Sequence, residues 1–286
     1  ITLTVNFSSG EDILAFTDSN GITGSWNGTT GVLSLSGSAT KANYELALES
    51  VTYKNTSDDP STSSRTVSWV VNDGDADSVA ITSNIAVTAV NDSPVIATNT
   101  GGAVAEGGTL TITTAMLNEG DPDDSGAGLT YSVTTASSNG RLELSSAAGV
   151  SIASFTQADV DAGIVQYVHD ASETTSDSIA LSLADGGENS ATAATGTFSI
   201  TVNAINDSPV IATNTGGTVA EGGTLTITTA MLNEGDPDDS GAGLTYGVTT
   251  ASSNGRLELS SAAGVSITSF TQADVDAGIV QYVHDA

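Results

Sequence analysis

Residues 91–171 recur at 206–286, offset by 115 positions, and all but three of the 81 aligned pairs are identical. The exceptions are Ala103/Thr218, Ser132/Gly247 and Ala153/Thr268. Self-similarity at a fixed period marks a chain built from stacked units rather than one large core. This period is long for a solenoid turn and suits an independent sandwich of about 100 residues. Near-identity between the copies points to recent duplication within one gene. Residues 1–90 read as a divergent version of the same unit. Ile1–Val5 is similar to Leu129–Val133, Val51-Thr52-Tyr53 to Val165-Gln166-Tyr167, and Asn72-Asp73-Gly74 to Ala184-Asp185-Gly186. Both versions then run into Asn-Asp-Ser-Pro-Val or its approach. The expected units are therefore 1–90, 91–205 and 206–286, the first entered part-way and the last left part-way. Such a window leaves strand edges unpaired. Flanking sequence is expected to cover them, or else a neighbouring molecule that donates strands.

Charge narrows the partners. Asp and Glu number 34 against five Lys and Arg, a formal charge of −29 over 286 residues. Nucleic acid and anionic membrane are excluded, because both require basic side chains to neutralise phosphate. An acidic chain with few aromatics can be disordered. Here 38% of residues are hydrophobic, and they fall in short alternating runs that favour folded β-structure. There is no cysteine, so disulfide and thiol chemistry are absent. No run approaches the roughly 18 apolar residues of a membrane span. The opening Ile1-Thr2-Leu3-Thr4-Val5 is not a signal peptide, and any export signal is expected outside this window.

Alternation and turn residues predict an all-β architecture of tandem Greek-key β-sandwiches in a linear array. In the complete repeat, strands are expected near 95–105 (broken at Gly101-Gly102), 108–114, 129–134, 141–145, 163–168, 178–184 and 196–204. Short helical turns are expected near Thr114–Asn118 and after Thr156, where Asp159 stands at the capping-box spacing.

Antiparallel strands send alternate connections to opposite ends of a sandwich, and this places the acids. Asp121, Asp123 and the loop Asp185–Glu188 fall at the end where the repeat begins. Glu106, Asp170 and Glu173 fall at the other. The first linker should gather Asn91 and Asp92 with Asp121, Asp123 and Asp185, and Asp58 and Asp59 from the unit before. The second should gather Glu106, Asp170 and Glu173 with Asn206 and Asp207 and, from the unit after, Asp236 and Asp238. Two carboxylates about 5 Å apart repel by about 3 kcal/mol at an effective dielectric near 20. A cation is expected among them. Calcium, which takes 6–8 oxygen ligands in flexible geometry, suits a site split between two units better than magnesium.

These residues carry a resemblance. Asp121-Pro122-Asp123-Asp124 resembles the Asp-x-Asp segment of cadherin repeats, and Asn91-Asp92-Ser93-Pro94 resembles their linker. Phe155–Val160 followed by Tyr167-Val168-His169-Asp170 is similar to the cadherin-related repeat of the chondroitin-sulfate-proteoglycan type. In overall style the chain resembles large bacterial surface adhesins of the RTX type. The resemblance implies an immunoglobulin- or cadherin-like form of that sandwich, extracellular adhesion or spacing, calcium between successive repeats, and contact with neighbouring repeats. Ala89 and Ala204 stand where cadherin linkers begin with Asp, and Ser93 and Ser208 stand where they end with Asn. Fewer ligands imply fewer or weaker ions.

Rival readings are thinner. Asp73-Gly74-Asp75-Ala76-Asp77 has EF-hand spacing at its first three acids, yet Ser78 and Asn84 occupy the positions for the glycine and the bidentate glutamate. His169 and His284 are one position in two copies, and no Gly-x-Ser-x-Gly elbow is present, so no enzyme is expected. His169 is expected to bond to neighbouring carboxylates. Trp69 reads as core. Trp26 beside a Gly-rich turn leaves open a platform for surface glycans or proteins. A filament assembled from copies of the chain is the alternative to a calcium-rigidified spacer.

Overall fold

The run Ser176–Ala184 shows how this chain folds. Ile179, Leu181 and Leu183 are buried while the residues between them are not, the period-two signature of a strand with one face on a core. The computed structural model describes residues 1–187 and 190–286, and three separate hydrophobic cores lie along it.

The first core is built by β1 (Thr2–Val5), β2 (Asp12–Ala15), β3 (Thr23–Asn27), β4 (Val32–Ser36), α1 (Lys41–Glu49), β5 (Thr52–Asn55), β6 (Arg65–Trp69) and β7 (Ile81–Ile85). Its sheets run β3-β4-β1-β6-β7 and β2-β5. They close on Leu3, Leu14, Leu33 and Val67. Thr40 caps α1 by accepting from the Asn43 N–H, which satisfies one of the unpaired amides at a helix start.

The middle core is formed by β8 (Ile96–Asn99), β9 (Gly102–Ala105), β10 (Thr109–Thr111), β11 (Leu117–Glu119), β12 (Thr130–Thr135) and β13 (Gly140–Leu144). The chain continues through β14 (Ser154–Thr156), α2 (Gln157–Asp161), β15 (Val165–His169), β16 (Ser176–Ala184) and β17 (Ala194–Asn203). One sheet runs β14-β12-β16-β17-β9, facing β10-β15-β13 and the short pair β11-β8. Neighbours that are not consecutive mean that the chain crosses between sheets, as a Greek-key sandwich requires. Tyr131 stacks on Phe155 with ring centroids 5.0 Å apart, and Phe198 is fully buried.

The last core follows the order from β8 to β15, but with no strand at 217–220, in β18 (Ile211–Asn214), β19 (Thr224–Thr226), β20 (Leu232–Glu234), β21 (Thr245–Gly247), β22 (Gly255–Leu259), β23 (Ser269–Thr271), α3 (Gln272–Asp276) and β24 (Val280–His284).

The strands expected from alternation are present in the middle segment, with the first divided into β8 and β9. Two were not anticipated, β11 and β14. The expected turn near Thr114–Asn118 is a single one, in which Thr113 O accepts from both Met116 N and Leu117 N. It ends where Leu117 enters β11 and pairs with Asn99 of β8. The second turn is α2, with Thr156 and Asp159 forming a complete capping box.

Gly140 opens β13 hard against Tyr167. A Cβ there would lie 2.6 Å from the ring Cζ and 2.5 Å from Val168 O. Gly140→Ala is expected to destabilise the middle core by about 1–3 kcal/mol, lowering its transition in a thermal melt. An unchanged melt would mean that the ring and strand can yield.

Candidate metal centre

Between the middle and last cores, three carboxylates meet. One oxygen each from Glu106, Glu173 and Asp207 lie within 4.8 Å of one another. Separate pieces of structure deliver them. Glu106 leads the turn from β9 to β10, and its N–H donates to Asn203 O at 2.9 Å, extending the parallel ladder of β9 on β17. Gly107 takes φ +62°, a left-handed turn conformation that glycine adopts without penalty. Glu173 stands on the loop from β15 to β16. Asp207 belongs to the linker that leaves β17, where the Ile205 N–H donates to Glu106 Oε2 at 3.2 Å.

The last segment adds to the group. Asp238 Oδ2 accepts from the Asp207 N–H at 2.5 Å. Asp236 supports Asp238 from its own loop. Its Oδ1 accepts from the Asp238 and Asp239 N–H groups, both at 2.9 Å, and this Asx turn aims Asp238. Asn206 Nδ2 donates to Asp207 O at 2.6 Å. Asp170 is also used locally, accepting from Ser172 N at 3.0 Å. Glu173 is exposed, yet partial desolvation, then repulsion from Glu106 and Asp238, a hydrogen bond to Glu106 and repulsion from Asp207 raise its carboxyl above the ordinary range.

The first linker meets the same loops of the middle segment. Asn91 Nδ2 donates to Asp185 Oδ2 at 2.8 Å, and Asp92 N donates to Asp123 Oδ2 at 2.6 Å. Asp121 Oδ1 accepts from Asp123 N and Asp124 N at 2.9 and 2.8 Å. Its Oδ2 is buried and has no partner among the described residues. Hydrogen bonds from Gly187 N and Asn91 hold Asp185 below the usual carboxylate range. Burial first, then Asp121, Asp185 and Asp123, push Asp124 up. Asp58 and Asp59 form no carboxylate group with this linker among the described residues. Glu188, expected on the Asp185 loop, lies outside the described residues.

Some participants escaped sequence reading. Asp124 closes the acidic run already singled out, so adjacency alone could have added it. Glu119 accepts from Asp121 N at 2.7 Å, and nothing in its spacing announced that. His169 does not bond to carboxylates. Its Nδ1 accepts from Gly107 N and Ala171 N, both at 3.2 Å, and Nε2 faces Thr174 Oγ1 at 3.1 Å. Asp170 Oδ1 is 4.0 Å away. Trp26 packs against the first core, edge-on to Phe7 with centroids 6.2 Å apart. The Asp73 loop is an exposed Asx turn, in which Asp73 Oδ1 accepts from Asp75 N and Ala76 N.

Several known proteins are similar to this chain. The chain is 34% identical over 185 residues to human chondroitin sulfate proteoglycan 4, covering 64% of this chain and 8% of that protein. It is 34% identical over 201 residues to mouse extracellular matrix organizing protein FRAS1, covering 68% of this chain and 5% of that protein. Extracellular matrix protein 3 of Lytechinus variegatus matches at 29% over 239 residues, 80% of this chain and 8% of that protein. The chain thus spans less than a tenth of the length of these relatives. The protocadherin GammaB4 extracellular domain is similar at 13% identity and a TM-score of 0.34, covering 96% of this chain and 40% of that one. No helix among the described residues is long and apolar enough to cross a membrane. Residues 94–202 and 209–286 each match the cadherin-like domain family, and with both sandwich segments matched the chain belongs to that family.

Proposed function

We propose that this chain is a non-enzymatic extracellular spacer of three tandem units, 1–90, 91–205 and 206–286, stiffened by calcium at the linkers. The observation that carries the reading is the meeting of Glu106, Glu173 and Asp207 within 4.8 Å, with Asp238 bonded to the Asp207 amide. Two of these acids come from the middle segment, one from the linker and one from the last segment, so neutralising them links two units. The donors are all oxygens and flexible in approach, which suits calcium. The buried Asp121 Oδ2 at the first linker, without a partner among the described residues, is a second oxygen fit for a cation. Bound calcium would supply the positive charge that lets these groups stay close. Without it, Glu106, Glu173 and Asp207 repel and the linker is freer to swing. The extracellular setting is supported by relatives whose names place them in the extracellular matrix. Near-identical copies in tandem resemble the build of large bacterial surface adhesins.

Small-angle scattering of residues 1–286, with calcium and with chelator, tests the reading. Calcium is expected to lengthen the maximum dimension and reduce flexibility. Identical curves in both conditions would overturn it.

A further inference from the structure

We infer that His169 is a positioning residue that clasps together the two loops carrying Glu106 and Glu173. The inference rests on the reading of that carboxylate group as a calcium site, and deepens it. The ring is almost wholly buried, with 3% of its surface exposed, although it lies in the polar end of the sandwich. All of its polar contacts go to the two loops. Nδ1 accepts from Gly107 N at 3.2 Å, next to Glu106, and from Ala171 N at 3.2 Å. A ring nitrogen that accepts two N–H bonds carries no proton, so the hydrogen is on Nε2. Nε2 then donates to Thr174 Oγ1 at 3.1 Å, next to Glu173.

The backbone around the ring shows what the clasp holds. Ala171 has φ +63° and Gly107 φ +62°. The left-handed region is sparsely used by alanine, and such conformations persist where surrounding contacts over-determine them. A Cβ on Gly107 would lie 3.4 Å from the Ala171 Cβ, so the two left-handed residues pack on each other while both donate to Nδ1. In the last segment Gly222 N comes within 3.4 Å of His284 Nδ1, but there that nitrogen also faces Asp285 O, which can only accept, so the exposed copy does not repeat the arrangement. In the first segment Asn55 occupies the corresponding strand end, and its Oδ1 accepts from Ser57 N at 2.9 Å. An amide oxygen can therefore replace half of the clasp.

Two measurements on residues 1–286 test this. Long-range nitrogen–proton NMR without calcium should show His169 protonated on Nε2 and bare on Nδ1. A proton on Nδ1 would overturn the clasp, whatever any variant does. Calorimetric titration with calcium should show that His169→Phe weakens the Glu106–Glu173–Asp207 site roughly tenfold to a hundredfold, the usual effect of losing a group that orients ligands. Glu173→Gln identifies which part of the isotherm belongs to that site. His169→Asn should recover most of the affinity. Wild-type affinity in a folded His169→Phe protein would overturn the inference. Should that variant not fold, His169→Asn decides, since a loss as large as that of Glu173→Gln contradicts partial replacement. If the wild type binds no calcium there, the spacer reading fails instead, and the NMR result still decides the clasp.

Discussion

Asp12→Ala is expected to unfold the first core, or bring it close to unfolding, while the middle and last cores keep their stability. Arg65 is fully buried, and its Nε donates to Asp12 Oδ2 at 3.1 Å. Its Nη1 donates to Ser61 O and Ser63 O. Asp12 also accepts from Tyr53 Oη at 2.5 Å, Asn55 Nδ2 at 2.8 Å and Ser8 N at 2.8 Å. Removing the carboxylate strands a buried guanidinium, at a cost of about 3–5 kcal/mol. A small domain has only about 5–15 kcal/mol in total. Both tryptophans, Trp26 and Trp69, lie in this segment, so tryptophan fluorescence during a melt reports this core alone. A variant that melts with the wild type would contradict the argument. Replacing both partners, as Asp12→Leu with Arg65→Met, should cost far less, because no charge is left unpaired.

The same carboxylate sets an acid limit. Burial would raise its pKa, but the hydrogen bonds from Tyr53, Ser8, Asn55 and Arg65 outweigh burial and hold it below the ordinary range. The unfolded chain therefore binds the proton more readily. The stability from Asp12 is complete above the unfolded pKa and is lost as pH falls through the lower folded one. Fluorescence should show the first core failing on acidification through that window. The Asp12→Ala protein should lack this component.

Glu173→Gln is expected to act in opposite directions with and without calcium. In chelator, partial desolvation together with Glu106, Asp238 and Asp207 raises the pKa of the exposed Glu173. The folded state then holds the proton more firmly than the unfolded one. This contribution is present at low pH and lost as pH rises through the folded pKa, so the wild type should weaken toward neutral pH. Glutamine removes the repulsion, and the calcium-free variant should melt higher near neutrality and depend less on pH. In calcium the order reverses. At 100 times its dissociation constant, calcium adds about 2.7 kcal/mol to the wild type. A site weakened tenfold would gain only about 1.4 kcal/mol at the same concentration. Parallel melts of the two proteins in chelator and in calcium check this. Equal calcium shifts in both would remove Glu173 from the site.

What the amino-acid order determined by itself was local and periodic. The copy at 115 residues, the alternating runs, the Thr156 capping box and the acids gathered in turns were all legible, because each depends on neighbours a few positions away. The Asn-Asp-Ser-Pro linkers were legible for the same reason. The tertiary structure decided which of those segments become strands and which acids meet. Residues 217–220 differ from β9 only at Thr218, yet they form no strand, whereas β9 pairs with β17. β12 likewise spans Thr130–Thr135 because β16, distant in the chain, pairs along it. Asp170 turned to its own loop, Trp26 joined the first core, and His169 found amides rather than carboxylates. A strand's hydrogen bonds and a carboxylate's neighbours come from residues distant in the chain, and only folding brings those within reach.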